Sequence, residues 1–156
     1  MRTSGILMPV FSLPSKYGIG CFSKEAYQFV DFLKESGQKN WQVLPLGQTS
    51  YGDSPYQSFS SFAGNPYFID LEQLVEQQLL TKEECDSFDF GKNPESIDYA
   101  KLYQNRYKIL RMACDRFLKQ PSDDFFAFCQ ENDWWLGNYA LFMVIKNMHK
   151  GVSWLQ

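Results

Sequence analysis

The chain has 156 residues, 44% of them hydrophobic and 21% charged, which is enough apolar content to bury a core and too much for a disordered or low-complexity polypeptide. Its formal charge of -3, with no cluster of lysines or arginines, gives no electrostatic reason for a nucleic-acid or anionic-membrane partner and favours a neutral ligand. Cys21, Cys85, Cys114 and Cys129 are scattered with no Cys-x-x-Cys pair, and the first apolar run breaks at Pro9, too short for a signal peptide or a membrane span; reduced thiols in a soluble, cytoplasmic protein are expected.

In chain order, residues 5–10 form a short apolar run that reads as a strand, and the glycines of Ser15-Lys16-Tyr17-Gly18-Ile19-Gly20 read as a loop. Ser23 can cap a helix whose apolar positions Ala26, Phe29, Val30 and Leu33 recur at helical spacing, with Gly37 as its stop. Residues 41–46 form a second run of strand length. Strand, helix, strand is the unit of a parallel sheet. Residues 47–65 then change to glycine, serine, proline and aromatics, a long loop leaving a strand.

Beyond Asp70 the pattern turns helical: Leu71, Leu74 and Val75 share a face, and Thr81-x-x-Glu84 matches a capping box. A linker-like stretch, Phe90-Gly91-Lys92-Asn93-Pro94, precedes an amphipathic helix over 98–119 carrying Tyr103, Tyr107, Leu110, Cys114 and Phe117. Residues 125–129 support a further short helix. Residues 134–148 are apolar on most faces, which implies a helix packed on several sides. Trp41, Trp134, Trp135, Phe59 and Phe62 read as core residues.

The segment with chemical interest is Tyr51-Gly52-Asp53-Ser54-Pro55-Tyr56-Gln57, because loops leaving the C-terminal ends of parallel strands are where such sheets bind ligands. Flat aromatic rings can cover the C–H face of a pyranose while Asp53, Ser54 and Gln57 exchange hydrogen bonds with hydroxyls. The same residues also suit ordinary turn chemistry with Tyr51 and Tyr56 packed on the core, and both readings stand at this point. No carboxylate pair of the kind a retaining glycosidase needs, about 5 Å apart, is identifiable. The single histidine, His149, excludes a multi-histidine metal site and sits where a helix end favours a cationic side chain.

Ser12-Leu13-Pro14, Tyr17-Gly18-Ile19-Gly20, Trp41-Gln42-Val43-Leu44-Pro45-Leu46-Gly47, Tyr51-Gly52-Asp53-Ser54-Pro55-Tyr56-Gln57-Ser58 and Gly64-Asn65-Pro66-Tyr67 resemble, in that order, N-terminal signatures of the amylomaltases, the 4-alpha-glucanotransferases. The resemblance continues through Ile97-Asp98-Tyr99 and Trp134-Trp135-Leu136 to Tyr139-Ala140-Leu141-Phe142. It implies a retaining transfer of alpha-1,4-glucan segments between maltooligosaccharides on a (β/α)8 barrel, with no metal or organic cofactor. It places the nucleophilic Asp and the acid/base Glu downstream of residue 156. Tyr56 resembles the tyrosine that contacts the sugar at the cleavage point, with Ser54 and Asp53 shaping its loop. Tyr51 and Tyr103 resemble a pair that binds glucan at a secondary site. Many members read His-Pro-Thr where this chain has Pro9-Val10-Phe11, so no role of that histidine transfers.

The expected fold is therefore α/β. Residues 1–66 supply the first two strands and first helix of a barrel with a substrate-binding loop at 47–66, and residues 67–156 supply a mainly helical insertion. A barrel takes about 250 residues, so this chain is expected to be an incomplete and inactive portion, with unpaired strand edges that invite association. Two alternatives of other classes are a non-catalytic alpha-glucan-binding module using Tyr51, Tyr56 and Tyr103, and a helical interaction domain indifferent to sugars.

Overall fold

The computed structural model describes residues 2–49 and 53–152. Two compact units divide the chain, Met1–Phe117 and Leu118–Gln156. In the first unit, strand β1 (Gly5–Leu7) pairs in parallel with β2 (Asn40–Gln42), Ile6 lying opposite Trp41, and helix α1 (Lys24–Glu35) connects them. The expected strand, helix, strand order is present, but both strands are shorter than the apolar runs. The Met8 amide still donates to the Gln42 carbonyl at 3.0 Å, after which Pro9 has no N–H to offer and Val10–Ser12 wind into a 3-10 turn. Beyond Gln42, residues 43–46 consequently run on with no β1 residue to pair with.

Helix α1 starts where its sequence predicts. The Ser23 hydroxyl accepts from the Glu25 amide, and the end is a Schellman closure in which Gly37 (φ 71°) donates to Lys34 and Gln38 to Leu33. Ala26 and Leu33 are buried and Phe29 meets Trp41 edge-on, ring centres 5.1 Å apart. Val30, expected on the same face, is exposed, because it lies at the edge of the stripe that contacts the strands.

The core lies away from the sheet. Val10 from the end of the first apolar run, Leu13, and Tyr17 and Ile19 from the stretch that reads as a loop pack with Tyr67, Phe68 and Leu71 and with Leu102, Ile109 and Ala113. The last three belong to α4 (Tyr99–Phe117), the long amphipathic helix expected from its spacing. Between them lie α2 (Leu71–Glu76), capped by Asp70, and α3 (Lys82–Ser87). The capping box at the start of α3 is present: Thr81 Oγ1 accepts from the Glu84 amide at 3.2 Å and Glu84 Oε2 accepts from the Thr81 amide at 2.9 Å. Arg116 of α4 grips the same carboxylate through both terminal nitrogens, one at 2.7 Å, and donates to the Leu79 carbonyl.

The second unit contains α5 (Asp123–Glu131) and α6 (Asp133–Met148), joined at Asn132, whose side chain accepts from the Trp135 indole at 2.9 Å. The expectation of a helix packed on several sides is corrected here. Trp134 is 65% exposed, and Leu141, Val144 and Met148 are exposed as well, since within its unit α6 has only α5 among the described helices to pack on. His149 caps α6 and is exposed, in keeping with the helix-end reading. All four cysteines are free thiols, with Cys21 and Cys85 buried.

The Arg116 guanidinium, then the Thr81 amide, hold the Glu84 carboxyl down to about 2 from its ordinary 4.5. A depressed carboxyl contributes stability that is complete above its unfolded value and lost as pH falls toward its folded one. Acid titration of the unfolding transition should show this loss between about pH 4.5 and about pH 2, and Arg116→Met should remove that part of the slope while leaving the neutral-pH fold intact.

Candidate functional site

The loop after β2 is closed at its neck by one antiparallel bridge, Gly47 to Gly64, and by the Asn65 amide donating to the Leu46 carbonyl at 2.8 Å. The neck is tight: a Cβ on Gly47 would lie 2.3 Å from Ser58 Oγ. Inside the loop the serines are structural. Ser58 Oγ donates to the Ser60 carbonyl at 2.8 Å, and Ser60 Oγ accepts from the Phe62 and Ala63 amides, each at 3.1 Å. Ser54 opens a turn in which the Gln57 amide returns to its carbonyl at 3.1 Å, with Pro55 in the position where a fixed φ is favourable. Asp53, just before it, sits at φ 58°, a left-handed conformation that Asp tolerates better than most residues.

The sequence-selected residues separate into three groups. Tyr56 does not pack on the core: it is 73% exposed and, with Pro55, Phe59 and Phe62, lines a recess of about 620 Å³ within the loop. Phe62, expected to be core, is also exposed on that recess, its amide held by Ser60 while its ring stays on the surface. Asp53 and Tyr103 share a different neighbourhood. Tyr99, Tyr103 and Tyr107 recur every fourth residue along α4, and Tyr67 lies against them, its ring centre 5.6 Å from that of Tyr107. Burial pushes the Tyr67 phenol upward, and Tyr107, the Asp53 carboxylate, Tyr103 and Tyr99 all add to the rise. Burial, then Asp53, does the same to Tyr99. Tyr51 lies outside the described residues.

Several residues that hold the loop were not selected from the sequence. Gln48 is buried and donates from Nε2 to the Tyr107 hydroxyl at 3.0 Å. Asn65 accepts from the Tyr67 amide at 3.0 Å. Arg106, 1% exposed, donates from Nη2 to the carbonyls of Tyr67 (3.2 Å) and Ile69 (2.5 Å). Two signals were available: Asn before Pro is a cap before a helical turn, and Arg106 falls in the apolar register of Leu102, Ile109 and Ala113.

Chemically this is a binding arrangement. The loop carries one carboxylate, Asp53, whereas a retaining double displacement needs two. Among the described residues no group of three or more His, Cys, Asp or Glu is disposed to hold a metal ion. Exposed rings beside hydroxyl and amide groups are suited to a neutral, hydroxyl-rich ligand.

A model of the family described as 4-alpha-glucanotransferase, glycoside hydrolase family 77, matches residues 8–156. A 4-alpha-glucanotransferase from Clostridium butyricum is 51% identical over 147 residues, covering 94% of this chain and 30% of the relative. One from Thermus thermophilus is 46% identical over 157 residues, covering 98% and 30%. In three dimensions the chain is similar to the amylomaltase from Streptococcus agalactiae in complex with acarbose, with a TM-score of 0.91, 44% identity and coverage of 98% of this chain and 31% of that one. The chain thus spans about a third of the length of the relatives it matches.

The backbone at Asp53 gives a test independent of any ligand. At φ 58° an alanine is strained and a glycine is not, so Asp53→Ala should be about 1 kcal/mol less stable than Asp53→Gly in denaturant unfolding of the full-length protein.

Proposed function

The chain belongs to the 4-alpha-glucanotransferase family, and from that premise we propose that the full-length protein transfers alpha-1,4-glucan segments between maltooligosaccharides by a retaining mechanism. The observation that carries this reading is the family match along almost the whole chain, with a fold similar over the same region to that of an amylomaltase solved in complex with acarbose. Residues 1–66 are proposed to supply the first strands and helix of the barrel with the substrate loop, and residues 67–156 a mainly helical insertion. The nucleophile and the acid/base lie in parts of the protein beyond this chain. The 156-residue chain by itself then does not turn glucan over, a reading supported by a loop that has a single carboxylate.

In this reading Tyr56 meets the sugar at the cleavage point, its exposed ring offering a face to a pyranose, and the turn at Ser54 with Asp53 sets its direction. Tyr51 and Tyr103 bind glucan at a secondary site, Tyr103 being half-exposed on α4. A cytoplasmic location is part of the proposal; no described helix is long and apolar enough to cross a membrane.

Glucose release from maltotriose tests both halves. The full-length protein should disproportionate maltotriose and residues 1–156 should release no glucose; glucose from the short chain would overturn the assignment of chemistry elsewhere. Tyr56→Ala in the full-length protein should lower kcat/KM by about ten- to a hundredfold, the range expected when one buried aromatic contact to a ligand is lost. Saturable binding of maltoheptaose by a full-length protein with no transfer activity would shift the assignment to a binding module.

A further inference from the structure

We infer that Tyr107 is a positioning residue for the substrate loop, its hydroxyl fixing the loop through Gln48; the inference rests on the glucan-transfer reading above. Between Gly47 and Gly64 the loop runs through sixteen residues and is closed only at its neck by a single bridge pair and one adjoining amide bond among the described contacts. A neck of that kind sets where the loop begins and ends but leaves its direction free, so the direction comes from contacts with the body of the unit.

Among the described hydrogen bonds, those at the two ends of the loop come from two successive residues of α4. Gln48, the first residue past the neck, has its amide side chain buried and bonded to the Tyr107 hydroxyl at 3.0 Å. The Tyr107 ring then packs on Tyr67, which is buried and lies three residues beyond the other side of the neck. Arg106, the residue before, holds the carbonyls of Tyr67 and Ile69. Both chain segments that enter and leave the loop are therefore gripped from one helix turn.

The two grips differ in what they secure. Consecutive helical side chains diverge by about 100°. Arg106 consequently points into the core, where its loss would compromise the fold, while Tyr107 stands at the partly exposed margin beside the loop. Removing only the Tyr107 hydroxyl keeps the tilted ring packing on Tyr67 and takes away the polar tie to Gln48. The loop then samples directions other than the one that sets Tyr56 against a sugar, and ground-state binding suffers before the chemical step does.

The test uses the full-length protein with Tyr107→Phe, Gln48→Leu and the double variant. Tyr107→Phe should raise KM for maltotriose about five- to tenfold, the effect of one hydrogen bond, with kcat changed less than twofold and the unfolding temperature within about 2 °C. The double variant should fall well short of the sum of the two single effects, because both remove the Tyr107–Gln48 bond. Unchanged KM, additive effects, or a KM rise tracked by an equal loss of stability would overturn the inference. Hydrogen exchange of amides 53–63 separates this from failure of the glucan reading, since it needs no substrate. Faster exchange in Tyr107→Phe at unchanged global stability upholds the positioning role even if maltotriose is not a substrate, and unchanged exchange sinks it.

Discussion

A guanidinium removed from water costs several kcal/mol unless its surroundings compensate, and Arg106 is 1% exposed. The compensation is local: the carbonyls of Tyr67 and Ile69 accept from Nη2, the Phe90 ring lies 5.7 Å from the guanidinium carbon, and Asp70 contributes its field. Burial still pushes the guanidinium down to about 10, so it remains a cation at neutral pH. Nε and Nη1 find no hydrogen-bond acceptor among the described residues. A group under that constraint tolerates little displacement of its partners, and its partners are the backbone that leaves the 47–64 loop.

The rest of the first unit is organised around this requirement. The stretch 66–71 is held from one side by α4 and from the other by the buried side chains of residues 10–19, so the core forms where the loop returns rather than on the two-stranded sheet. A sheet of two three-residue strands supplies few ladder bonds and marginal stability by itself. Its role is to fix where the chain enters the loop, at Gly47, while α4 fixes where it goes next. Arg116 repeats the device further along the same helix, clamping the capping carboxylate of α3.

Several polar side chains of the loop are committed to holding it. Ser58 and Ser60 are consumed in holding the backbone, and Gln48 and Asn65 in fastening its ends. Tyr56 stays exposed above its recess. The Asp53 carboxylate lies close enough to Tyr67 and Tyr99 for its charge to add to the rise of both phenols.

The sequence by itself determined the local elements and the family. Ser23 and Gly37 bound α1, Thr81 and Glu84 start α3, and the tyrosines of α4 recur at helical spacing because caps and periodicity are set by residues within a few positions of each other. The ordered motifs identified the family without any coordinates. Tertiary structure alone decided the rest. Tyr17 and Ile19 read as loop yet form core, β1 and β2 stop short of their apolar runs because the ladder ends at Pro9, and Trp134 and Phe62, read as core, are exposed. The grip of Arg106 and Tyr107 on the loop spans 37 to 59 residues of chain, a separation at which no local propensity acts and only packing can bring the groups together.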